Sequence, residues 1–266
     1  MRSAFYSLVN FLNTTSIHDV YFKAAKTILL NIYKIPDCTI TEVADMCYVS
    51  TATISRLCRK LSYESFADFK NDVINNLNYF NKDWQRFIFD HQIPDISQGK
   101  EVFEDHFENI INNLRDTYNN ISYVDLLKTV DKIHDAKRIC FMGNFFTQTA
   151  AMQLQIELAY LGKECLAMYP LTQQQEVLKE INDDDLIIIS SIAGSFFETH
   201  PDIMRAISKT NCYKIVITQA DEFNYSDCVD LLLKVGNDHH SLIGKFSIMY
   251  IYEVLEALYH IKYGKQ

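Results

Sequence analysis

The sequence predicts two folds in series: an all-α helix-turn-helix domain first, then an α/β domain on a five-stranded parallel, flavodoxin-like, doubly wound sheet. Three observations predict this. Before residue 62, apolar residues recur at helical spacing in three successive runs. From residue 137 onward, short continuous apolar runs alternate with helical ones, the pattern of parallel strands covered on both faces. Charge divides in the same place: residues 1–82 carry nine Lys/Arg and seven Asp/Glu, net +2, whereas 83–266 carry 16 and 27, net −11. A mildly basic part on an acidic body fits a small DNA-binding domain carried by a larger domain that does not bind DNA.

The first helical run, about 18–34, places Tyr21, Phe22, Ala25, Ile28, Leu29 and Ile32 on one side, and Pro36 is expected to stop it. The second opens on Thr39-x-x-Glu42, a capping box in which side chain and backbone exchange hydrogen bonds. Ile40, Val43, Ala44 and Met46 or Cys47 form its buried face, and it halts near Cys47-Tyr48-Val49. Ser50 is a good N-cap for the third run. In that run, VSTATISRLCRKL (49–61), Ile54, Leu57, Cys58 and Leu61 make one apolar stripe. Two short helices joined by a tight turn are a helix-turn-helix arrangement. Ala44 is small where the helices approach, and Val49 is apolar where the turn tucks in. The polar side of the third helix carries Ser50, Thr51, Thr53, Ser55, Arg56, Arg59 and Lys60. Short hydroxyls near a helix start can approach bases, and cations beside them can hold phosphates, so these seven are the candidate DNA-binding residues.

The stretch TITEVADMCYVSTATISRLCRKLSYESFADFK resembles the N-terminal domain of the RpiR family of bacterial transcription regulators. The resemblance rests on Val49-Ser50, Ala52-Thr53-Ile54-Ser55-Arg56-Leu57 and Arg59-Lys60-Leu61, then Tyr63, Phe66, Phe69 and Lys70, and covers roughly residues 1–80. Two residues depart from it. Ser62 stands where the family usually has Gly at a helix end, and Tyr48 fills a turn position where helix-turn-helix proteins often have Gly. A residue other than Gly in left-handed backbone costs up to ~1 kcal/mol.

Residues 81–121 read as a linker and connecting helix. They hold an apolar knot of Trp84, Phe87, Ile88 and Phe89, then Pro94; two helical patterns over 100–134, broken near Asn119-Asn120, lead into the next segment. The third segment, 122–266, carries five strand-like runs at 138–143, 164–168, 185–191, 213–218 and 229–235. Helical segments separate them at 146–161, 172–180, 197–209 and 241–262. In such a sheet ligands sit beyond the carboxyl ends of the strands. GNFFT (143–147) and SSIAGSF (190–196) lie there, each opening a helix with Gly, Ser or Thr, which suits an anion.

This segment resembles the sugar-isomerase (SIS) domain, the usual C-terminal partner in the RpiR family, over about 122–266. The resemblance implies a phosphosugar effector held by Gly143, Asn144, Thr147, Ser191, Gly194 and Ser195. Phe145, Ala193 and Phe196 depart from the family pattern, replacing a Gly, a Ser and a Ser/Thr. Each lost hydroxyl removes a bond of ~1.5–3 kcal/mol to a charged phosphate, and two aromatics are expected to narrow the mouth. Three readings of the site stay open: an anionic sugar phosphate, a less charged ligand, or a turn that is purely structural.

Seven scattered Cys with no C-x-x-C pair suggest reduced thiols, with neither disulfides nor a metal site. No apolar run approaches the ~20 residues that span a bilayer, and the N-terminus lacks the apolar core of a signal peptide. Glu222, His239 and His240 are the loose candidates for acid–base chemistry. The reading is a non-enzymatic, cytoplasmic, cofactor-free transcription regulator of sugar or amino-sugar metabolism. It binds a double-stranded DNA operator as a homodimer or dimer of dimers, answers to a sugar phosphate, and has no membrane partner. Alternatives are a phosphosugar isomerase with a vestigial N-terminal domain and an effector-less dimeric DNA-binding module.

Overall fold

The structure is a computed structural model that describes residues 4–90, 97, 99–144, 146–168, 171–237 and 241–264, with side chains except over 79–90 and at 241. The chain divides into two compact units, Met1–Gln98 and Gly99–Gln266.

The first unit is helical: α1 (Ala4–Thr14), α2 (Val20–Leu30), a 3-10 turn (Ile32–Asp37), α3 (Ile40–Met46), α4 (Thr51–Lys60) and α5 (Phe66–Asp90). Leu8, Ile28, Ile35, Ile54, Leu57 and Phe69 are fully buried in one core. Asp19 caps α2, accepting the Tyr21 N–H at 2.7 Å. The helix ends at Leu30, short of the expected 34, and Pro36 lies inside the 3-10 turn instead of ending a helix. The turn closes through Lys34 N–H to Asn31 O (2.8 Å) and Cys38 N–H to Ile35 O (3.1 Å), bonds that need no hydrogen on the Pro36 nitrogen. Helix α5 runs past the expected stop near residue 80, and the side chains of Trp84, Phe87, Ile88 and Phe89 lie outside the described residues.

The turn between α3 and α4 has a definite construction. Thr39 and Glu42 form the expected capping box: the Thr39 N–H donates to Glu42 Oε2 at 2.6 Å, and the Glu42 N–H to Thr39 Oγ1 at 3.3 Å. The Thr39 N–H, together with the Thr39 hydroxyl donating to the same Oε2 at 2.7 Å, holds the Glu42 carboxyl below its ordinary pKa. At the other end Tyr48 is left-handed (φ 54°), with its N–H on Asp45 O (3.1 Å) and the Val49 N–H on Ala44 O (3.0 Å). That pair of bonds is the Schellman closure of a helix. Helix α4 ends the same way: Ser62 has φ 69°, its N–H bonds Arg59 O (3.0 Å), and the Tyr63 N–H bonds Cys58 O (2.9 Å). The Tyr63 ring is buried, and its hydroxyl donates to Asp72 Oδ2 of α5 at 2.6 Å, which anchors the end of α4.

The second unit runs α6 (Gly99–Asn120), α7 (Tyr123–Asp135), β1 (Arg138–Met142), α8 (Phe146–Tyr160), β2 (Glu164–Leu166), α9 (Leu171–Leu178), β3 (Leu186–Ser191), α10 (Ser195–Thr199), α11 (Pro201–Ser208), β4 (Tyr213–Thr218), β5 (Leu231–Lys234) and α12 (Ser241–Tyr263). The sheet is parallel throughout, in the order β2-β1-β3-β4-β5. That is the flavodoxin-like order, with its switch point between β1 and β3. Every residue of β3 is buried, because helices cover both faces. On one face α8 and α12 bury Leu154, Leu158, Ile248, Ile251 and Leu255; on the other Phe196, Phe197, Ile203 and Ile207 pack over Ile187 and Ile189. All seven cysteines are unpaired. Burial pushes the Cys47 thiol up to about 11 and those of Cys58, Cys140 and Cys165 to about 12, so these four stay protonated. Among the described residues no helix is long and apolar enough to cross a membrane.

The two left-handed caps predict a gain from glycine. Tyr48→Gly and Ser62→Gly should each stabilise the first unit by about 0.5–1 kcal/mol. Urea unfolding followed by fluorescence of Trp84, the single Trp, which lies in α5, checks this. An unchanged midpoint for both variants would show that neither cap is strained.

Candidate nucleic-acid interface and effector site

The capped turn decides which side of α4 meets solvent. Ile54, Leu57, Cys58 and Leu61 are buried. Ala52, Arg56 and Arg59 are exposed and point away from that stripe, as their spacing at 100° per residue requires. Ser50, Thr51 and Lys60 are exposed at the borders, and Thr53 and Ser55 are half-buried. Ser50 Oγ accepts the Thr53 N–H at 3.2 Å and lies 2.9 Å from Thr53 Oγ1. Both hydroxyls are thus committed to starting the helix. Lys60 Nζ sits 5.0 Å from the centre of the Tyr21 ring, a cation–π contact that draws it towards α2. Of the seven candidates, Thr51, Arg56 and Arg59 are the exposed ones with no such local engagement, and they surround a small residue, Ala52.

The second candidate site forms at the carboxyl ends of β1 and β3. Gly143 is clamped by Gln174 of α9: its N–H donates to Gln174 Oε1 (3.2 Å), and Gln174 Nε2 donates to Gly143 O (2.8 Å). A side chain at 143 would come within 2.4 Å of Thr147 Oγ1 and 3.0 Å of Ser190 O, so only Gly fits. The buried Thr147 hydroxyl accepts the Asn144 N–H (3.1 Å) and donates to Asn144 O (2.9 Å). Asn144 Nδ2 lies 3.2 Å from His200 Nε2, while its Oδ1 and Gln148 Oε1 are buried acceptors with no donor in contact among the described residues. Burial lowers the His200 pKa to about 4, so its imidazole is neutral.

The turn after β3 is tightly wound. Ala193 (φ 54°) and Gly194 (φ 73°) are both left-handed. Gln219 holds the turn, accepting the Ala193 N–H at 3.2 Å and donating to Gly244 O of α12 at 2.6 Å. The buried Ser191 hydroxyl accepts the Phe196 N–H at 3.0 Å, and Ser195 Oγ donates to Ile192 O at 3.1 Å. Phe196 does not narrow the mouth: it is 1% exposed, packed edge-on against Phe197 and 5.1 Å from the His200 ring. The hydroxyl that the sequence pattern lost at 196 is thus replaced by core. Phe145, the other expected obstruction, lies outside the described residues.

Long-range neighbours supply what local spacing could not reveal. Lys245 of α12 lies 6.0 Å from the ring of Phe146, the first residue of α8, so it places a cation beside the β1 turn. Gln174, Gln219 and His200 likewise reach the two turns from later elements. Glu222 is exposed, and His239 and His240 lie outside the described residues. Folding also brings ligand atoms of Glu157, Glu256 and His260 within 4.8 Å of one another on α8 and α12, a grouping that surface acids commonly make without an ion.

Residues 14–79 match the helix-turn-helix domain of the rpiR family. That match lies within the first unit. An uncharacterized HTH-type transcriptional regulator of Clostridium perfringens is 29% identical over 189 residues, 70% of this chain and 65% of that protein's length. Two solved structures resemble the fold. The Vibrio vulnificus NanR protein complexed with ManNAc-6P covers 98% of this chain and 92% of its own, with TM-score 0.53 and 19% identity. The sugar isomerase domain of an RpiR transcription factor from Sphaerobacter thermophilus covers 60% of this chain and 89% of its own, with TM-score 0.51 and 19% identity. The second unit therefore has the SIS fold.

His200 gives a pH prediction. Its folded pKa lies below its ordinary value of 6.5, so below pH 6.5 the folded unit binds fewer protons than the unfolded chain. Its contribution is complete above 6.5 and is lost as pH falls towards 4, up to about 3 kcal/mol. Urea unfolding of His200→Gln, neutral at every pH, should show a shallower loss over that window than the parent. Parallel curves would place the imidazole in water.

Proposed function

We propose that the protein is a DNA-binding transcription regulator whose second unit senses a sugar phosphate. The observation that carries this reading is the outward face of α4, where Thr51, Arg56 and Arg59 surround Ala52 on a helix fixed by a capped turn. A recognition helix needs such a face: cations to hold phosphates and little bulk between them. Ser50, Thr53, Ser55 and Lys60 serve it differently. The first two set the helix start, and Lys60 reaches a flanking phosphate only by leaving Tyr21. Operators read by such domains are two-fold, so the working form is a homodimer or a dimer of dimers, acting in the cytoplasm.

The effector reading rests on fold and local chemistry together. The ligand named for the Vibrio neighbour is a sugar phosphate, and the two strand-end turns occupy the position where this fold takes ligands. Asn144, Gly143, Gly194 and Ser195 border that position, and Lys245 offers a positive charge in place of the hydroxyls absent at Ala193 and Phe196. Thr147 and Ser191 act as scaffolding, since their hydroxyls are already bonded within the turns. The effector then shifts the population between arrangements that can and cannot hold DNA. An isomerase is the weaker reading: a base and an acid must both reach the sugar carbon, and exposed Glu222 is the one described candidate.

Two measurements test this. Binding to DNA from upstream of the gene and its neighbours should weaken roughly tenfold or more in Arg56→Ala, and the slope of log K against log salt should shrink by about 0.9. Unchanged affinity and slope would remove α4 from the interface. Millimolar hexose or hexosamine 6-phosphates should raise the melting temperature of the parent but not of Lys245→Ala. No shift with any sugar phosphate would leave a DNA-binding module without this effector.

A further inference from the structure

Among the described residues, four other than Gly are left-handed: Tyr48, Ser62, Ala193 and Tyr225. Ser62 and Ala193 have small side chains. The ring of Tyr225 packs against the buried cluster around Phe196 and Phe197, so its side chain has a place inside the fold. Tyr48 has neither explanation. It is a bulky residue, for which such backbone is a genuine outlier, and it is 95% exposed. It takes no part in the core of the first unit, and among the described residues no hydrogen bond or ring contact holds its side chain. The closure it makes, through Asp45 O and Ala44 O, uses backbone groups alone. Gly makes that same closure without strain. The turn therefore needs the conformation and does not need the phenol. A strained side chain with no partner inside the chain points to a partner outside it.

Position identifies that partner. Tyr48 stands two residues before Ser50, the cap of α4, and three before exposed Thr51, at the end of the helix from which bases are read. It precedes the helix and so lies outside the span that enters the groove. What it meets there is the rim, where the phosphates run. We propose that Tyr48 positions the protein on the DNA backbone, its hydroxyl donating to a phosphate oxygen at the edge of the groove that α4 enters. This rests on the reading of α4 as the DNA-binding helix. Tyr is among the side chains that make such contacts, and a phosphate oxygen is an anionic acceptor open to an uncharged donor. Two consequences separate Tyr48 from the cations of α4. A neutral phenol displaces no counterion, so it leaves the salt dependence of binding alone. A phosphate carries no sequence information, so the contact fixes the register of α4 without choosing bases.

The test compares Tyr48→Phe and Tyr48→Gly with the parent and with Arg56→Ala, all full length. Each is titrated on the upstream fragment that the parent binds and on an unrelated duplex of equal length. Tyr48→Phe should weaken binding about tenfold on both DNAs, with the slope of log K against log salt unchanged. Tyr48→Gly should weaken it at least as much while its urea midpoint is no lower than the parent's, which separates the loss from unfolding. Tyr48→Phe binding as tightly as the parent, or losing affinity on the upstream fragment alone, would overturn the proposal; the second result places the phenol on a base. Where Arg56→Ala weakens binding and Tyr48→Phe does not, α4 remains the reading helix and only the Tyr48 contact falls. Where neither weakens it, α4 itself lies outside the interface and the proposal falls with it.

Discussion

The left-handed turn at Tyr48 governs what the first unit presents to its surroundings. With the Val49 N–H on Ala44 O and Ser50 capping the next helix, the chain has little freedom in how it leaves α3 and enters α4. The direction of α4 then follows from burial of Ile54, Leu57, Cys58 and Leu61, and the outward position of Arg56 and Arg59 follows from that. Strain at one residue is accepted so that two helices keep a fixed angle. The same device recurs at Ser62, where it hands the chain to α5 through buried Tyr63 and Asp72. In both places a short backbone closure sets the geometry, and side-chain packing keeps it.

The second unit uses amides in the same role. Gln174 clamps Gly143 on both its N–H and its carbonyl, Gln148 ties Phe141 O to Met168 O, and Gln219 joins the β3 turn to α12. Three buried glutamines thus hold the strand ends without any charge. The hydroxyls of Thr147 and Ser191 are spent inside the turns, so the proposed sugar phosphate would have to rely on backbone N–H groups, Asn144 and Lys245.

Much of this was legible in the sequence because the signals were local. The Thr39–Glu42 box, the Ser50 cap, the stripe of α4 and the five apolar strands each lie within a dozen residues. The left-handed Ser62 was legible for the same reason. What failed depended on distant contacts. Helix α1 has no comparable local signal, and its place comes from Ala4 and Leu8 packing into a core assembled from α2 to α5. Pro36 reads as a stop, yet a 3-10 turn accepts it. Phe196 reads as an obstruction at a mouth because its neighbours in sequence are at the turn, but its neighbours in space are Ile187, Ile189 and Met204. Lys245 and His200 carry no local signal of a site: only folding brings His200 to Asn144 and Lys245 to the ring of Phe146. On α4 the spacing marks one polar side, which the hydrogen bonds divide into helix-starting hydroxyls and outward cations.

The central claim is that Ala52 sits at the middle of the surface that meets DNA. Ala52→Cys in the full-length protein, mixed with operator DNA carrying thiol-tethered bases, tests it most directly. A disulfide that forms at bases within the operator, and disappears when unmodified operator competes, is the predicted result. Tight, sequence-specific binding of the same DNA with no cross-link at residue 52 at any base would contradict it.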